Sequence, residues 1–370
     1  NYADSSLSAV VFEYDSTPTM LSVSPRNGPA TGGTSIVITG VNLPQDDDLR
    51  LRIGDAWVSV DMVSDGLQCT TPAVASPGVY AIALVSAAGE VYNSKLQFVF
   101  ETELSLTQVI PSRGVEFGGT DVLLMGSGFD DTFELNCAFG DVLVAATWIS
   151  SDVLRCTSPT AQAPGVTTVS VTQNGIDFSA TLDFEYTGGA HVASLTPSFG
   201  AAPGGTLVHI LGSGFVNSAS LHCLFDGQTK VPIAEFVSVD EIVCAAPSHV
   251  EGSVTVEVTN NNVDYSQSSQ QFLYIAASSL SGVSPKNGWT TGGTTVTLTG
   301  SNLGTVTQCR FGTVTVDVIE QTDSSVVCAS PATEMAGVVD IDVSSNGIDF
   351  TAEHIQFTYQ EPVSISSLQP

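Results

Sequence analysis

Seven cysteines are the residues of this sequence best suited to chemistry, because thiols can form disulfides or bind metal ions. Six of them form three pairs, spaced 19, 21 and 19 residues apart: Cys137 and Cys156, Cys223 and Cys244, Cys309 and Cys328. Zinc sites usually need four ligands at short spacing, and no histidines cluster beside these cysteines. The pattern therefore predicts three disulfides in an oxidising compartment, with reduced and buried thiols as the alternative.

The seventh cysteine, Cys69, has no cysteine at the position where the others find a partner. It lies in the segment CTTP, which corresponds to CTSP at Cys156, but leucine occupies the first position of the pair, at Leu51. We therefore expect Cys69 to be a buried free thiol.

Clustered carboxylates are the second group that could do chemistry, since Ca²⁺ binds grouped oxygen ligands. The candidates lie in two equivalent loops, PQDDDL and GFDDTF, and are Asp46, Asp47, Asp48, Asp130 and Asp131. The corresponding segments at 216–217 and 304–305 contain no carboxylate. Calcium binding is therefore the weaker hypothesis, and a solvated acidic loop is the favoured one.

Motifs of known catalytic sites are missing from the sequence, which contains no HExxH, GxSxG, GK[ST] or GxGxxG. The five histidines recur at no equivalent positions, and His209 is predicted to lie on a surface. We expect no catalytic residue, no cofactor and no enzymatic activity.

The composition limits the class of partner. The chain has 38 acidic and 9 basic residues, for a net charge of −29, and no cluster of lysine or arginine. This balance argues against nucleic acid and anionic membranes as partners, because both require basic surfaces, and we expect no nucleic acid to bind. No apolar run approaches the roughly 20 residues of a membrane helix, so we expect no membrane insertion within this segment.

The cysteines and carboxylates are carried by a sequence phrase that occurs four times. A proline followed by a GGT triplet anchors each copy, at Pro25, Pro111, Pro197 and Pro285, with spacings of 86, 86 and 88 residues. That period is the size of a small domain. We therefore divide the chain into repeat 1 (18–102), repeat 2 (103–187), repeat 3 (188–276) and repeat 4 (277–361). Residues 1–17 match the end of a preceding repeat, and residues 362–370 match the start of a following one.

Each repeat is predicted to be built from short β-strands, because apolar and β-branched residues alternate between closely spaced turns. One alternating strand follows each GGT triplet, and its core-facing pairs should be Ile36 and Ile38, Val122 and Leu124, Val208 and Ile210, Val296 and Leu298. The segments NGIDF at 174–178 and 346–350 are predicted to be hairpin turns, because Asn-Gly accommodates positive φ.

The repeated phrase resembles the IPT/TIG domain, which has an immunoglobulin-like fold. In repeat 1 the resemblance is carried by Pro25, Gly28, Gly32, Gly33, Gly40, Asn42 and Leu43, and it extends over residues 18–361. It implies an all-β chain of four tandem immunoglobulin-like sandwiches, which short links should hold as an extended rod. Tandem copies with paired cysteines resemble plexins, hepatocyte-growth-factor-type receptors and fibrocystin more than Rel-type transcription factors.

Three functions follow from this resemblance. The first is a non-catalytic structural or adhesive array, extracellular or at the cell surface, with protein partners that include copies of itself in a filament or coat. The second is a ligand-binding segment of a receptor ectodomain. The third is a set of carbohydrate-binding accessory modules, which would require recurring exposed aromatic residues that the sequence does not contain.

Overall fold

The computed structural model describes residues 17–44, 49–86, 89–132 and 134–363. These residues form strands, turns and loops without a helix, so the all-β class is confirmed for the described ranges. Within the same ranges there is accordingly no helix long and apolar enough to cross a membrane. Both terminal segments predicted from the sequence, 1–17 and 362–370, fall almost entirely outside the described residues.

The chain divides into two compact units, residues 1–187 and 188–370, so that the first unit holds repeats 1 and 2 and the second holds repeats 3 and 4. The extended rod remains a prediction.

Repeat 1 is a sandwich of a four-stranded and a five-stranded sheet. Its strands are β1 (Thr19–Ser24), β2 (Asn27–Pro29), β3 (Ser35–Val41), β4 (Arg50–Ile53), β5 (Ala56–Ser59), β6 (Asp61–Val63), β7 (Gly66–Thr70), β8 (Gly78–Val85) and β9 (Val91–Glu101). The strand orders are β1-β3-β7-β6 and β2-β9-β8-β4-β5.

Repeat 2 has the same two sheets. Its strands are β10 (Ser105–Ile110), β11 (Arg113–Val115), β12 (Asp121–Ser127), β13 (Asn136–Phe139), β14 (Val142–Ala145), β15 (Thr147–Ser150), β16 (Val153–Thr157), β17 (Gly165–Thr172) and β18 (Leu182–Thr187). The strand orders are β10-β12-β16-β15 and β11-β18-β17-β13-β14.

Repeat 3 differs in one respect, because one long strand replaces two short ones and joins both sheets into a single eight-stranded sheet. Its strands are β19 (His191–Thr196), β20 (Phe199–Ala201), β21 (Leu207–Ser213), β22 (His222–Phe225), β23 (Thr229–Ser238), β24 (Glu241–Ala245), β25 (Gly252–Thr259) and β26 (Gln270–Ile275). The joining strand is β23, which pairs with β22 at one end and with β24 at the other.

Repeat 4 returns to the arrangement of repeats 1 and 2, with orders β27-β29-β33-β32 and β28-β35-β34-β30-β31. Its strands are β27 (Ser279–Ser284), β28 (Asn287–Trp289), β29 (Thr295–Ser301), β30 (Gln308–Phe311), β31 (Val314–Asp317), β32 (Glu320–Thr322), β33 (Ser325–Ala329), β34 (Gly337–Ser344) and β35 (Ile355–Gln360).

The anchoring proline lies where the first strand of each repeat moves from one sheet to the other. In repeat 1, β1 pairs antiparallel with β3, and after Pro25 the strand β2 pairs in parallel with β9. Proline has no N–H to donate, so it fits a position where pairing with one sheet has ended and pairing with the next has not begun. The peptide bonds before Pro25, Pro111, Pro197 and Pro285 are cis.

The GGT turn packs against the segment that carries the second cysteine position. Gly32 has a φ of 75°, and a Cβ at this residue would lie 2.5 Å from the backbone of Pro72. The Gly33 N–H donates to the Thr71 carbonyl over 2.9 Å. These contacts explain why the glycine pair and the C-x-x-P segment occur together in each repeat.

The core of each repeat lies between its two layers of strands. The residues predicted to face the core after each GGT triplet are fully buried: Ile36, Ile38, Val122, Leu124, Val208, Ile210, Val296 and Leu298. This prediction is confirmed. Edge-to-face aromatic pairs complete the cores, as between Phe184 and Tyr186, whose ring centroids are 5.1 Å apart.

The structure joins the cysteines in the three pairs that the spacing predicts. The pairs are Cys137–Cys156, Cys223–Cys244 and Cys309–Cys328, with Cα separations of 6.5, 6.6 and 6.5 Å. In repeats 2 and 4 each bridge connects one sheet to the other. Cys69 is buried and free, in the same core cluster as Leu51, and burial raises the pKa of its thiol to about 11.

Replacing Leu51 with cysteine should create a fourth disulfide, because positions 51 and 69 correspond to those of the bridged pairs. In the chain-entropy model a loop of this size stabilises repeat 1 by about 3 kcal/mol. The oxidised and then unfolded L51C chain should contain no titratable thiol, whereas the unchanged chain contains one.

A matched control is Ile53→Cys, on the same strand and also buried. Two residues along a strand displace its thiol by about 7 Å, too far from Cys69 for a bond. This variant should retain two thiols, and two thiols in L51C would contradict the prediction.

Candidate functional site

A short hairpin near the end of repeats 2, 3 and 4 is the feature from which the site is built. We call residues 172–179, 259–266 and 344–351 the closing hairpins. In each, the first residue pairs across the turn with an aromatic one, as Thr172 does with Phe178. The NGIDF segments are thus turns, as predicted, and Gly175 and Gly347 have φ values of 74° and 77°.

The asparagine of each closing hairpin organises the turn through its side chain. In repeat 2, Asn174 Oδ1 accepts hydrogen bonds from the backbone N–H groups of Ile176, over 3.0 Å, and Asp177, over 2.8 Å. Its amide nitrogen donates to Asp177 Oδ2 over 2.7 Å. Asn346 and Asp349 repeat this arrangement in repeat 4, as do Asn261 and Asp264 in repeat 3. An asparagine that bonds to its own turn is a known device for fixing short turns, and here it also fixes the aspartate carboxylate.

In repeats 2 and 4 the aspartate carboxylate accepts a hydrogen bond from the preceding repeat. Thr34 Oγ1, in the GGT turn of repeat 1, donates to Asp177 Oδ2 over 2.7 Å. In the second unit Thr206 Oγ1 donates to Asp349 Oδ2 over 2.6 Å. A hydrogen bond to an ionised acceptor is stronger than one between neutral groups.

A second hydrogen bond accompanies the first in both units. Asn174 Nδ2 donates to the carbonyl oxygen of Asn27 over 2.9 Å, and Asn346 Nδ2 donates to the carbonyl oxygen of Phe199 over 3.3 Å. The receiving residues lie on β2 and β20, the strands that follow the anchoring proline. We call these strands, together with the threonine of the GGT turn, the acceptor surface, and its contact with a closing hairpin the junction.

A glycine on each acceptor surface leaves room for the threonine hydroxyl. A Cβ at Gly28 would lie 2.2 Å from Thr34 Oγ1, and a Cβ at Gly200 would lie the same distance from Thr206 Oγ1. Any larger residue would displace the hydroxyl from the position in which it reaches the carboxylate. The glycine of the P-x-x-G segment is therefore a requirement of the junction.

The first junction contains an additional polar network. Asn27 Nδ2 donates to Glu101 Oε1 over 3.0 Å and to the Gln173 carbonyl oxygen over 3.1 Å. Gln173 Nε2 donates to Glu101 Oε2 over 2.7 Å, and Gln173 Oε1 accepts from the Asp130 N–H over 2.6 Å. Glu101 is thus held between two repeats by two amides.

Burial raises the pKa of Glu101 above its usual value, because it disfavours the charged carboxylate. The hydrogen bonds from Asn27 and Gln173 act in the opposite direction, and the nearby carboxylates of Asp130 and Glu134 add to the increase. The second junction has Ile275 at the corresponding position of its last strand, paired with Ala201 as Glu101 is with Pro29.

The calcium candidates are only partly within the described structure. Asp46, Asp47 and Asp48 lie outside the described residues, and Asp130 and Asp131 are both exposed. Among the residues that the structure describes, no group of three or more His, Cys, Asp or Glu side chains is arranged to hold a metal ion. His209 is exposed, and its Nδ1 lies 2.8 Å from Glu241 Oε1.

Sequence reasoning missed the residues that make the junction. It identified the GGT turn and the NGIDF turn but interpreted both as local geometry. The signal was the recurrence of a threonine in every GGT triplet and of an asparagine and an aspartate three residues apart in three closing hairpins.

Replacing Thr34 with valine should weaken the first junction, because Asp177 Oδ2 loses a charge-assisted hydrogen bond worth about 1.5–3 kcal/mol. The expected result is amide hydrogen exchange about 10- to 100-fold faster in the closing hairpin of repeat 2. The control is Thr294→Val, the corresponding residue of repeat 4, whose hydroxyl makes no hydrogen bond within the described ranges. Equal effects of T34V and T294V on that hairpin would contradict the prediction.

Glu101 should make the first junction sensitive to pH. The pKa of Glu101 is raised in the folded state, so its protonated form favours folding. Its contribution to the free energy of unfolding is therefore fully present below the usual pKa near 4.5 and is lost as the pH rises through the folded pKa. Glu101→Gln stays neutral and should remove this dependence. The measurement is the difference in denaturant midpoint between the two chains from pH 4 to 8. A difference that does not vary with pH would refute the assignment.

Comparison with known proteins agrees with this architecture. The sequence matches the family "IPT/TIG domain" over residues 18–100, 104–186, 190–274 and 278–359. Fibrocystin-L of Homo sapiens is 27% identical over 350 residues, which is 90% of this chain and 8% of that protein. Plexin-B2 of Mus musculus is 30% identical over 122 residues, 32% of this chain and 7% of that protein. The chain therefore spans less than a tenth of the length of these relatives.

Among solved structures, the full extracellular region of plexin A4 is similar, with 16% identity and a TM-score of 0.30, over 93% of this chain and 48% of that one. The four stretches that match the family model account for most of the sequence. This chain belongs to the IPT/TIG domain family.

Proposed function

We propose that this chain is a non-catalytic structural segment of an extracellular or cell-surface protein, and that its repeats carry tension along the chain. The observation that carries the proposal is the parallel pairing between the second and last strands of each repeat. Near its start each repeat has a three-residue strand that pairs in parallel with its final strand: β2 with β9, β11 with β18, β20 with β26 and β28 with β35.

This parallel strand pair gives a repeat mechanical resistance. When the two ends of a repeat are pulled apart, its second and last strands are drawn in opposite directions along their length. The hydrogen bonds between them are then loaded together instead of one after another. In repeat 1 these bonds include Ala30 N–H to the Glu101 carbonyl, at 2.8 Å, and Val99 N–H to the Arg26 carbonyl, at 2.9 Å.

The disulfides support both the mechanical role and the extracellular location. A disulfide between the sheets prevents the residues between its two cysteines from being stretched. A bridged repeat therefore lengthens less when it unfolds under force. Disulfides also persist mainly in oxidising environments outside the cytosol. The similarity to plexins and fibrocystin-L favours the same location.

The junctions support the proposal because their side-chain hydrogen bonds connect neighbouring repeats in addition to the covalent link of the backbone. Two side-chain hydrogen bonds between a closing hairpin and an acceptor surface recur in both units, and they hold repeat 2 to repeat 1 and repeat 4 to repeat 3. Both units use the same residue types at the same positions, which favours a structural role for the pair over a site that binds a ligand at one repeat.

Assembly of copies into a filament or coat is a narrower form of the same hypothesis. Its support is a sheet edge in repeat 2, where β14 pairs with β13 alone among the described strands and exposes Val142 and Leu143, each to 48%. Exposed strand edges with apolar residues are suited to pairing with another chain.

Pulling the whole chain by single-molecule force spectroscopy tests the mechanical proposal. Repeat 1 can be recognised because it has no disulfide, so it should lengthen by about 70 Å more than a bridged repeat, at roughly 3.5 Å for each of some 20 enclosed residues. Replacing Ala30 with proline removes the N–H that donates to Glu101. At a given force, repeat 1 should then unfold about tenfold faster, and the other repeats should be unchanged.

The control is Ala30→Ser, which keeps the N–H group and should leave the unfolding force of repeat 1 unchanged. If A30P and A30S unfold at the same force, the parallel strands do not carry the load and the mechanical proposal is wrong.

A further inference from the structure

Repeat 4 has an acceptor surface with the same internal geometry as those of repeats 1 and 3. Its strand β28 pairs in parallel with β35, and Asn287 Nδ2 donates to Gln360 Oε1 over 3.0 Å. Asn27 and Glu101 make the same bond at the same length in repeat 1. A Cβ at Gly288 would lie 2.5 Å from Thr294 Oγ1, so the threonine hydroxyl occupies the corresponding position.

This surface is uncovered, unlike its counterparts. Thr34 and Thr206 are exposed to 0% and 1%, whereas Thr294 is only partly buried. Pro285 is exposed, while Pro25 and Pro197 are buried. The surface is also apolar at one side, where Trp289 is exposed to 44%.

The chemistry of the surface specifies what it can bind. The Thr294 hydroxyl is placed to donate to a carboxylate, and the Asn287 carbonyl is placed to accept from an amide, as the equivalent groups do in both junctions. Lys286 precedes Asn287 in sequence and favours an anionic partner. A closing hairpin with asparagine and aspartate three residues apart presents these two groups together.

The closing hairpins of repeats 2 and 4 are already engaged, on repeats 1 and 3. The corresponding segment of repeat 1, VSAAGEV at 85–91, contains neither an asparagine nor an aspartate. We propose that the acceptor surface of repeat 4 binds the closing hairpin of a further IPT/TIG repeat, and so forms a junction like those within the two units. This inference extends the proposed function, because it gives the array a defined point of continuation.

The test uses residues 1–360 followed directly by a second copy of residues 102–187, so that the added repeat follows Gln360 as repeat 2 follows Glu101. The added copy carries Ile176→Val, the residue found at this position in repeat 3, so that its peptides differ in mass from those of repeat 2. The expected result is amide exchange in the added hairpin as slow as in the hairpin of repeat 2. Fast exchange there would overturn the proposal.

Two variants of this longer chain identify the contact. Thr294→Val and, in the added copy, Asp177→Asn should each accelerate exchange in the added hairpin at least about tenfold, without affecting the hairpin of repeat 2. Asp183→Asn in the added copy, an exposed aspartate on the same repeat, should have no effect. Insensitivity to T294V would also overturn the proposal. Neither result bears on the strand pairing of repeat 1, which the pulling experiment measures separately.

Discussion

The hydrogen bond between a GGT threonine and a hairpin aspartate is the interaction on which the other features of the junction depend. It requires a hydroxyl directed away from its own repeat, which the glycine beneath it permits. It also requires a carboxylate held in place before contact, which the neighbouring asparagine provides. Because both groups are fixed within their own repeats, their association loses little side-chain entropy.

The two junctions keep this interaction and differ in what surrounds it. The first places Asn27, Gln173 and the partly buried Glu101 around the contact, whereas the second places Phe199 and Ile275 there. A buried polar network is costly unless every member is bonded, and in the first junction both oxygens of Glu101 accept an amide hydrogen bond. The same contact between threonine and aspartate therefore forms with different neighbours, and in the first junction Glu101 adds a second carboxyl group to that of Asp177.

Much of the fold could be predicted from the sequence because its determinants are local. Alternation identified the core faces of the strands after each GGT triplet, and regular spacing indicated which cysteines lie together. The junction could not be predicted in the same way, because Thr34 and Asp177 are 143 residues apart and each has a local explanation. A threonine after two glycines fits a turn, and an Asn-Gly-Ile-Asp segment fits a hairpin. Only the fold shows that the two turns meet.

The segment that changes sheets at the anchoring proline links the proposed mechanical role to the junction. The segment after the anchoring proline forms the parallel pair with the last strand, and its backbone also receives the hairpin asparagine of the next repeat. In the proposed mechanical role, force that passes through a junction reaches the strand whose hydrogen bonds are loaded in shear, while the disulfides lie deeper in the sandwich. In this arrangement a junction can open before a repeat unfolds, because it has fewer hydrogen bonds than the sheets it connects. The array would then yield first by separation of neighbouring repeats and only later by loss of the folded sandwich.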